Sequence, residues 1–158
     1  MRVPIQIEVN QAGYSLEVEP RSTLLELLRE TLHLTGTKEG CGQGDCGTCI
    51  VLLDGIPVNA CLMLAVDAQG RQVTTIEGLA MDGKLHPLQK SFIEKGAIQC
   101  GFCTPAMVLS AKARLDKKPR ASREEIKQAL SGVLCRCGSY QKILEAVQAV
   151  SEGIDDGA

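Results

Sequence analysis

The cysteines of this chain fall into two groups, and their spacing restricts the fold more than any other feature of the sequence. The first four have the spacing C-x4-C-x2-C-x11-C, and the other four have the spacing C-x2-C-x31-C-x-C. The N-terminal segment MRVPIQIEVNQ lacks the apolar run of a secretory signal, and no run approaches the roughly eighteen residues that cross a bilayer. We therefore expect a cytoplasmic protein without membrane insertion, in a reducing compartment where disulfides are rare. Eight cysteines in such a compartment indicate bound metal.

The composition argues against a nucleic-acid partner. Hydrophobic residues make up 44% of the chain, charged residues 23%, and the net charge is -2. The one basic run, KKPR at residues 117–120, is short and predicts a solvated loop. We find no G-x-G-x-x-G, P-loop or Ser/His/Asp combination, so we expect this chain to contribute neither a nucleotide site nor catalytic residues. His33 and His86 are interpreted as surface or capping residues.

The first half of the sequence predicts strands around one helix. VPIQIEV and YSLEVE alternate apolar and polar residues, as half-buried strands do, and residues 10–13 predict the turn between them. In RSTLLELLRETLHL, Thr23 and Glu26 form a capping box at the start of a helix. A cysteine-rich loop, a hairpin around Asp54-Gly55 and a last strand in RQVTTIEGL follow. This order is that of a plant-type ferredoxin-like β-grasp domain.

The second half of the sequence predicts only helices. After the linker GLAMDGK, Pro87 can open one helix, and Thr104-Pro105 suits the N-cap and first residue of the next. Ser122 and Glu125 form a capping box before IKQALSGVL, and SYQKILEAVQAV has a helical apolar stripe. Four short helices indicate a small bundle.

These patterns together predict an α+β chain with two domains. Residues 1–77 are expected to form the ferredoxin-like β-grasp domain, and residues 84–158 are expected to form an all-helical domain. The tail from Ser151 onward is expected to fray.

The first cysteine set has the ligand spacing of a [2Fe–2S] loop. C-x4-C-x2-C is the plant-type ferredoxin pattern, and the glycines between the cysteines let amide N–H groups approach the sulfurs. A two-residue turn at Asp54-Gly55 places Cys49 opposite Ala60, which returns Cys61 to the mouth of the loop. Zinc sites usually pair two C-x2-C knuckles, and the first cysteine set contains only one, formed by Cys46 and Cys49. The spacing therefore favours an iron–sulfur centre.

The second cysteine set leaves zinc and iron–sulfur both open on spacing alone. Cys103 and Cys137 each lie just before a predicted helix start, where free N–H groups and the helix dipole suit an anionic cluster. A zinc thiolate site would benefit in the same way. The position of these cysteines favours iron without deciding between the two metals.

The four cysteine motifs taken together resemble a known family. KEGCGQGDCGTC, the cysteine that follows after eleven intervening residues, QCGFCTP and LCRCGSYQKI occur in this order. The combination resembles the two-[2Fe–2S] subunit of the xanthine oxidase family of molybdenum hydroxylases, which includes xanthine, aldehyde and carbon monoxide dehydrogenases and 4-hydroxybenzoyl-CoA reductase. The resemblance covers roughly residues 3–150.

The resemblance implies two metal centres and two partner subunits. One [2Fe–2S] cluster would be held by Cys41, Cys46, Cys49 and Cys61, and the other by Cys100, Cys103, Cys135 and Cys137. A large partner would carry a molybdopterin-type molybdenum cofactor, near the helical-domain cluster, and a medium partner would carry FAD. Gln99 matches a glutamine that reaches the pterin of the large subunit.

The function implied is electron transfer within an oxidoreductase complex. Single electrons would pass between the molybdenum centre and a flavin or another acceptor, and substrate chemistry would take place on the partner. The alternatives are a free-standing two-cluster ferredoxin and a zinc-stabilised structural or adaptor protein. Four positions depart from the family pattern: Ala106 replaces Gly, Gly138-Ser139 replaces Thr-Gly, and Thr48 replaces a commoner Ala. None is a ligand position, so these differences leave cluster binding intact. They concern only which substrate the complex uses.

Overall fold

A mixed five-stranded sheet forms the first half of the molecule, here called the sheet half. In the computed structural model, which describes residues 1–153, the strand order is β2-β1-β5-β3-β4. All neighbours are antiparallel except β1 and β5. The strands are β1 (Val3–Val9), β2 (Ala12–Val18), β3 (Ile50–Leu53), β4 (Ile56–Asn59) and β5 (Gln72–Thr74).

The first hairpin turns more tightly than the sequence analysis predicts. Val9 pairs with Ala12, so the turn contains only Asn10 and Gln11, and β2 begins two residues before Tyr14. Both turn residues have positive φ, 52° and 68°. Turns of this kind match the right-handed twist of the flanking strands, which explains why the strands pair to the last residue.

The predicted capping box starts the helix that packs on the sheet. Glu26 donates its N–H to the Thr23 hydroxyl at 3.1 Å, and the Glu26 carboxylate accepts the Thr23 N–H at 2.7 Å. After the α-helical turn α1 (Leu24–Glu26), the chain widens into a π-helical turn (Leu27–Thr31). The buried leucines of both turns cover the sheet: Leu24, Leu25, Leu27 and Leu28.

Four helices form the second part of the described chain, here called the helical half, as predicted. They are α2 (Pro87–Glu94), α3 (Thr104–Lys117), α4 (Arg123–Leu130) and α5 (Tyr140–Glu152). His86 caps α2, because its Nδ1 accepts the N–H of Leu88 at 3.2 Å. The observed α+β architecture therefore confirms the predicted fold class.

Two details of the helical half differ from the sequence-based predictions. The N-cap of α3 is Cys103, not Thr104, so Thr104 is already the first helical residue. The prediction of a frayed tail is wrong for Ser151, which is 2% exposed and whose hydroxyl donates to the carbonyls of Pro119 and Ala121. Residues 154–158, also part of that prediction, lie outside the described residues.

Strand β3 belongs to the cores of both halves. Because side chains alternate along a strand, Val51 and Leu53 enter the core of the sheet half while Ile50 and Leu52 enter the core of the helical half. All four residues are buried, so β3 is covered on both faces. The two halves therefore share a strand that orients each relative to the other. No helix in the described part of the chain has the length and apolar character to span a membrane.

Candidate metal centres

The loop before β3 curls around the sulfur of Cys41. Gly42, Gly44 and Gly47 all have positive φ, which bends the chain so that backbone N–H groups point inward. The N–H groups of Gln43 and Cys46 donate to Cys41 Sγ at 3.5 and 3.4 Å. These two bonds, with that of Gln43 the larger, lower the pKa of Cys41 to about 6. Cys41 is therefore ready to bind metal as a thiolate at neutral pH.

The second hairpin brings Cys61 back to this loop in the predicted register. Leu53 pairs with Ile56 across the Asp54-Gly55 turn, and the Ala60 N–H donates to the Cys49 carbonyl at 3.3 Å. Cys49 is buried, and this burial raises the pKa of its thiol to about 11, against an opposing hydrogen bond from the Cys61 backbone. Metal binding would have to displace the proton that burial favours on this sulfur.

The four cysteines of this region form the first thiol group: Cys41, Cys46, Cys49 and Cys61. The side chain of Cys41 interacts with that of Cys46, and the side chain of Cys49 interacts with that of Cys61. Cys46 also lies close enough to Cys49 for its charge to raise the pKa of the Cys49 thiol. The structure thus brings together all four residues predicted to form the first site.

The other four cysteines form the second thiol group: Cys100, Cys103, Cys135 and Cys137. They lie in the α2–α3 and α4–α5 connections, where Cys100 interacts with Cys137 and Cys103 with Cys135. Burial raises the pKa of Cys103 to about 12. For Cys135, burial opposes ionisation, but the Ser139 N–H at 3.4 Å and further hydrogen bonds outweigh it and lower the pKa. At the start of α5, the N–H of the N-cap residue Ser139 therefore reaches the sulfur of Cys135.

The donor sets fit a binuclear iron–sulfur cluster. None of the eight cysteines forms a disulfide, and each thiol group consists of two close pairs. A structural zinc ion takes four ligands at one point, whereas each iron of a [2Fe–2S] cluster takes only two thiolates. Four thiols grouped as two pairs suit the second arrangement.

The two thiol groups differ in their exposure to solvent. In the second thiol group, Cys100 and Cys137 are exposed. Around them lie four exposed apolar side chains, here called the apolar rim: Ile98, Phe102, Leu134 and Tyr140. Gln99 is also exposed beside Cys100, and its predicted contact with a partner's pterin stays a prediction. In the first thiol group, no cysteine is exposed.

Three contacts at these sites were not found from the sequence. The Thr48 hydroxyl lies 3.2 Å from Cys46 Sγ, and the Tyr140 hydroxyl accepts the N–H of Cys135 at 2.7 Å. The Leu134 N–H donates to the Cys46 carbonyl at 2.9 Å, across the boundary between the halves. The only signal in the sequence for the first two contacts was that Thr48 and Tyr140 stand within a few residues of cysteines. Nothing in the sequence pairs residue 134 with residue 46.

Comparison with known proteins places the chain in a family. Residues 7–75 match the 2Fe-2S iron-sulfur cluster binding domain, and residues 75–148 match the [2Fe-2S] binding domain. The chain is 49% identical to the nicotinate dehydrogenase small FeS subunit of Eubacterium barkeri, covering 96% of each. It belongs to the iron–sulfur subunits of the xanthine oxidase family.

Two further comparisons, one of sequence and one of structure, support the same family assignment. The chain is 44% identical to the aldehyde oxidoreductase iron-sulfur-binding subunit PaoA of Escherichia coli, covering 92% of this chain and 70% of that protein. Its structure matches a chain of quinoline 2-oxidoreductase from Pseudomonas putida with a TM-score of 0.92 and 45% identity, covering 96% and 94% of the two chains. The resemblance inferred from the cysteine motifs is therefore confirmed.

Proposed function

We propose that this chain is the electron-transfer subunit of a multi-subunit molybdenum-containing hydroxylase or dehydrogenase. It would pass single electrons between a molybdopterin centre on a large partner and FAD on a medium partner, or another acceptor. The observation that carries the proposal is the presence of two thiol groups, each built from two interacting pairs and each in its own half of the molecule. Such a chain needs no catalytic residues of its own, because the substrate reacts on the partner.

The proposal assigns one [2Fe–2S] cluster to the first thiol group and one to the second. It also assigns residues 1–77 to a ferredoxin-like domain and residues 84–158 to a helical domain, and it locates the complex in the cytoplasm. The pairing of the thiols supports the ligand assignment, and the change from sheet to helices after residue 78 supports the division into domains.

Each protein group at these sites has a definable task. A [2Fe–2S] cluster, when bound, takes up and releases one electron. The N–H groups of Gln43, Cys46 and Ser139 donate to ligand sulfurs and stabilise the negative charge that reduction increases. Burial of Cys49 and Cys103 keeps water away from the inner side of each site. The exposed edge at Cys100 and Cys137 brings the second site to the surface, where an electron donor can approach.

The apolar rim supports a partner at the second thiol group. Phe102 is 45% exposed and Leu134 is 56% exposed, and a cluster of exposed apolar side chains is typical of a surface that a partner covers. We assign this face to the large molybdenum subunit. The reason is that an electron entering the second site from a partner would have the shortest path where the cysteines themselves reach the surface.

The test is co-purification of the native complex with and without a charge in the apolar rim. Phe102→Asp should release this chain from the large subunit while leaving its own iron content unchanged, since Phe102 is not a ligand. The matched control is Ile56→Asp, because Ile56 is a similarly exposed apolar residue, 51% exposed, on the second hairpin. A chain that elutes alone in its native form would instead be a free-standing ferredoxin, and a colourless chain that contains zinc would be a structural protein.

A further inference from the structure

The side chain of Thr48 lies between a candidate ligand and a backbone carbonyl. Its hydroxyl is 3.2 Å from Cys46 Sγ and 3.5 Å from the carbonyl oxygen of Lys38. Thr48 is only 4% exposed, so solvent has little access to this hydroxyl. A hydroxyl carries one proton and can donate to only one of these two acceptors at a time.

Binding of iron decides which acceptor receives the proton. A protonated Cys46 can donate to Thr48 and leave the hydroxyl free to donate to Lys38. A metal-bound cysteine is a thiolate and has no proton to give, so any hydrogen bond between the two side chains must then run from Thr48 to sulfur. The sulfur is also the nearer acceptor and the more negative one.

We propose that the Thr48 hydroxyl donates a hydrogen bond to the Cys46 thiolate and thereby raises the reduction potential of the cluster at the first thiol group. This rests on the proposed function, because it requires that a [2Fe–2S] cluster is bound there. Reduction adds one electron and makes the sulfur more negative, so the hydrogen bond stabilises the reduced form more than the oxidised form. The proton stays on Thr48 throughout, and no bond is broken.

The backbone around Thr48 is shaped to allow this close approach. A Cβ atom at Gly40 would lie 2.7 Å from both Cys46 Sγ and Thr48 Oγ1, which is too close for any side chain. Glycine at this position thus leaves room for hydroxyl and sulfur to meet without intervening water. Thr48 is therefore a positioning and tuning residue of this chain, not a ligand.

The test compares the two cluster potentials in variants of residue 48 within the intact complex. Thr48→Val removes the hydroxyl and keeps the shape, Thr48→Ser keeps the hydroxyl, and Thr48→Ala removes every side-chain atom beyond Cβ. Thr37→Val is the matched control, because Thr37 is also buried at 2% exposure but its hydroxyl has no hydrogen-bond partner. Potentials are read by EPR during redox titration, and exchangeable protons near each cluster are read by ENDOR in D2O.

We expect Thr48→Val and Thr48→Ala to shift the reduction equilibrium of the first cluster about tenfold toward the oxidised form, or about 59 mV for one electron. The second cluster should keep its potential, Thr48→Ser should behave like the wild type, and one exchangeable proton should be lost in the valine variant. An unchanged first-cluster potential in a variant with full iron content would overturn the inference. Absence of iron from the wild-type protein would instead overturn the proposed function.

Discussion

The backbone N–H of Leu134 donates to the carbonyl oxygen of Cys46 at 2.9 Å, and this bond joins the two candidate metal centres. Cys46 belongs to the first thiol group, and Leu134 directly precedes Cys135 of the second. Strand β3 lies in the cores of both halves and is a second connection between them. The distance between the two centres is therefore set by packing and hydrogen bonding, as single-electron transfer between them requires.

Gly47 is the position at which this junction can be tested. Its φ is +69°, and a Cβ there would overlap the carbonyl oxygen of Gly132 in the helical half. We expect Gly47→Ala to separate the loop from the helical half and to lower the free energy of unfolding by more than the roughly 1–2 kcal/mol of left-handed strain alone. Urea unfolding of the purified chain measures this change.

Two glycines provide controls for the Gly47 experiment. Gly55 has a φ of +79° but open space around it, so Gly55→Ala reports the strain without the overlap. Gly132→Ala should be tolerated, because a Cβ at that position meets no atom within 4 Å. If Gly47→Ala destabilised the protein no more than Gly55→Ala, the close contact between the halves would be disproved.

Loss of one thiol should remove one cluster and spare the other. Cys61→Ser takes one partner from the pair that it forms with Cys49, so we expect the ferredoxin-type EPR signal to disappear and iron content to fall by about half. Cys103→Ser should give the reciprocal result, because Cys103 pairs with Cys135 in the second thiol group. Equal loss of both signals in either variant would contradict the separation into two sites.

Gln99 offers a test of the face assigned to the molybdenum subunit. We expect Gln99→Ala to slow electron exit from molybdenum about tenfold without changing iron content, because a lost contact at an interface alters electronic coupling and not cluster binding. Rapid mixing with substrate under anaerobic conditions measures the rate. Gln128→Ala, at an exposed glutamine on α4, is the control. Unchanged kinetics would count against a contact of Gln99 with the pterin.

The cap of α2 should make stability depend on pH near neutrality. Burial, and then the charge of Lys112, lower the pKa of His86 against a smaller opposing effect of Asp116, and the neutral Nδ1 accepts the N–H of Leu88. Because the folded-state pKa lies below the unfolded value of about 6.5, this contribution is complete above pH 6.5 and is lost as pH falls below it. We expect His86→Ala to cost about 1 kcal/mol at pH 8 and less at lower pH.

The measurement for His86 is urea unfolding between pH 8 and pH 5.5. His86→Asn is the control, since asparagine can cap a helix but does not titrate in this range. Wild-type stability should approach that of His86→Asn at high pH and fall relative to it as the pH is lowered. Parallel curves would show that His86 is not a titrating cap.

The local features of this fold follow from short sequence motifs. The capping boxes at Thr23 and Ser122 and the turn at Asp54-Gly55 depend on residues at most three apart, so their spacing was sufficient to place them. The register of the second hairpin, and with it the return of Cys61 toward Cys49, follows from the turn alone.

Other features depend on contacts that spacing does not contain. Thr104-Pro105 suited a helix start, yet the helix begins one residue earlier because Cys103 serves as the N-cap. Ser151 was expected to fray, yet its hydroxyl reaches two carbonyls some thirty residues away in sequence. The bond from Leu134 to Cys46 likewise depends on how the halves pack.

EPR spectroscopy of the anaerobically purified, dithionite-reduced protein, combined with metal analysis, tests the central claim most directly. We predict about four irons and four acid-labile sulfides per chain, and two distinguishable signals of reduced [2Fe–2S] clusters. A protein that contains zinc instead, or that gives no paramagnetic signal after reduction, would contradict the account.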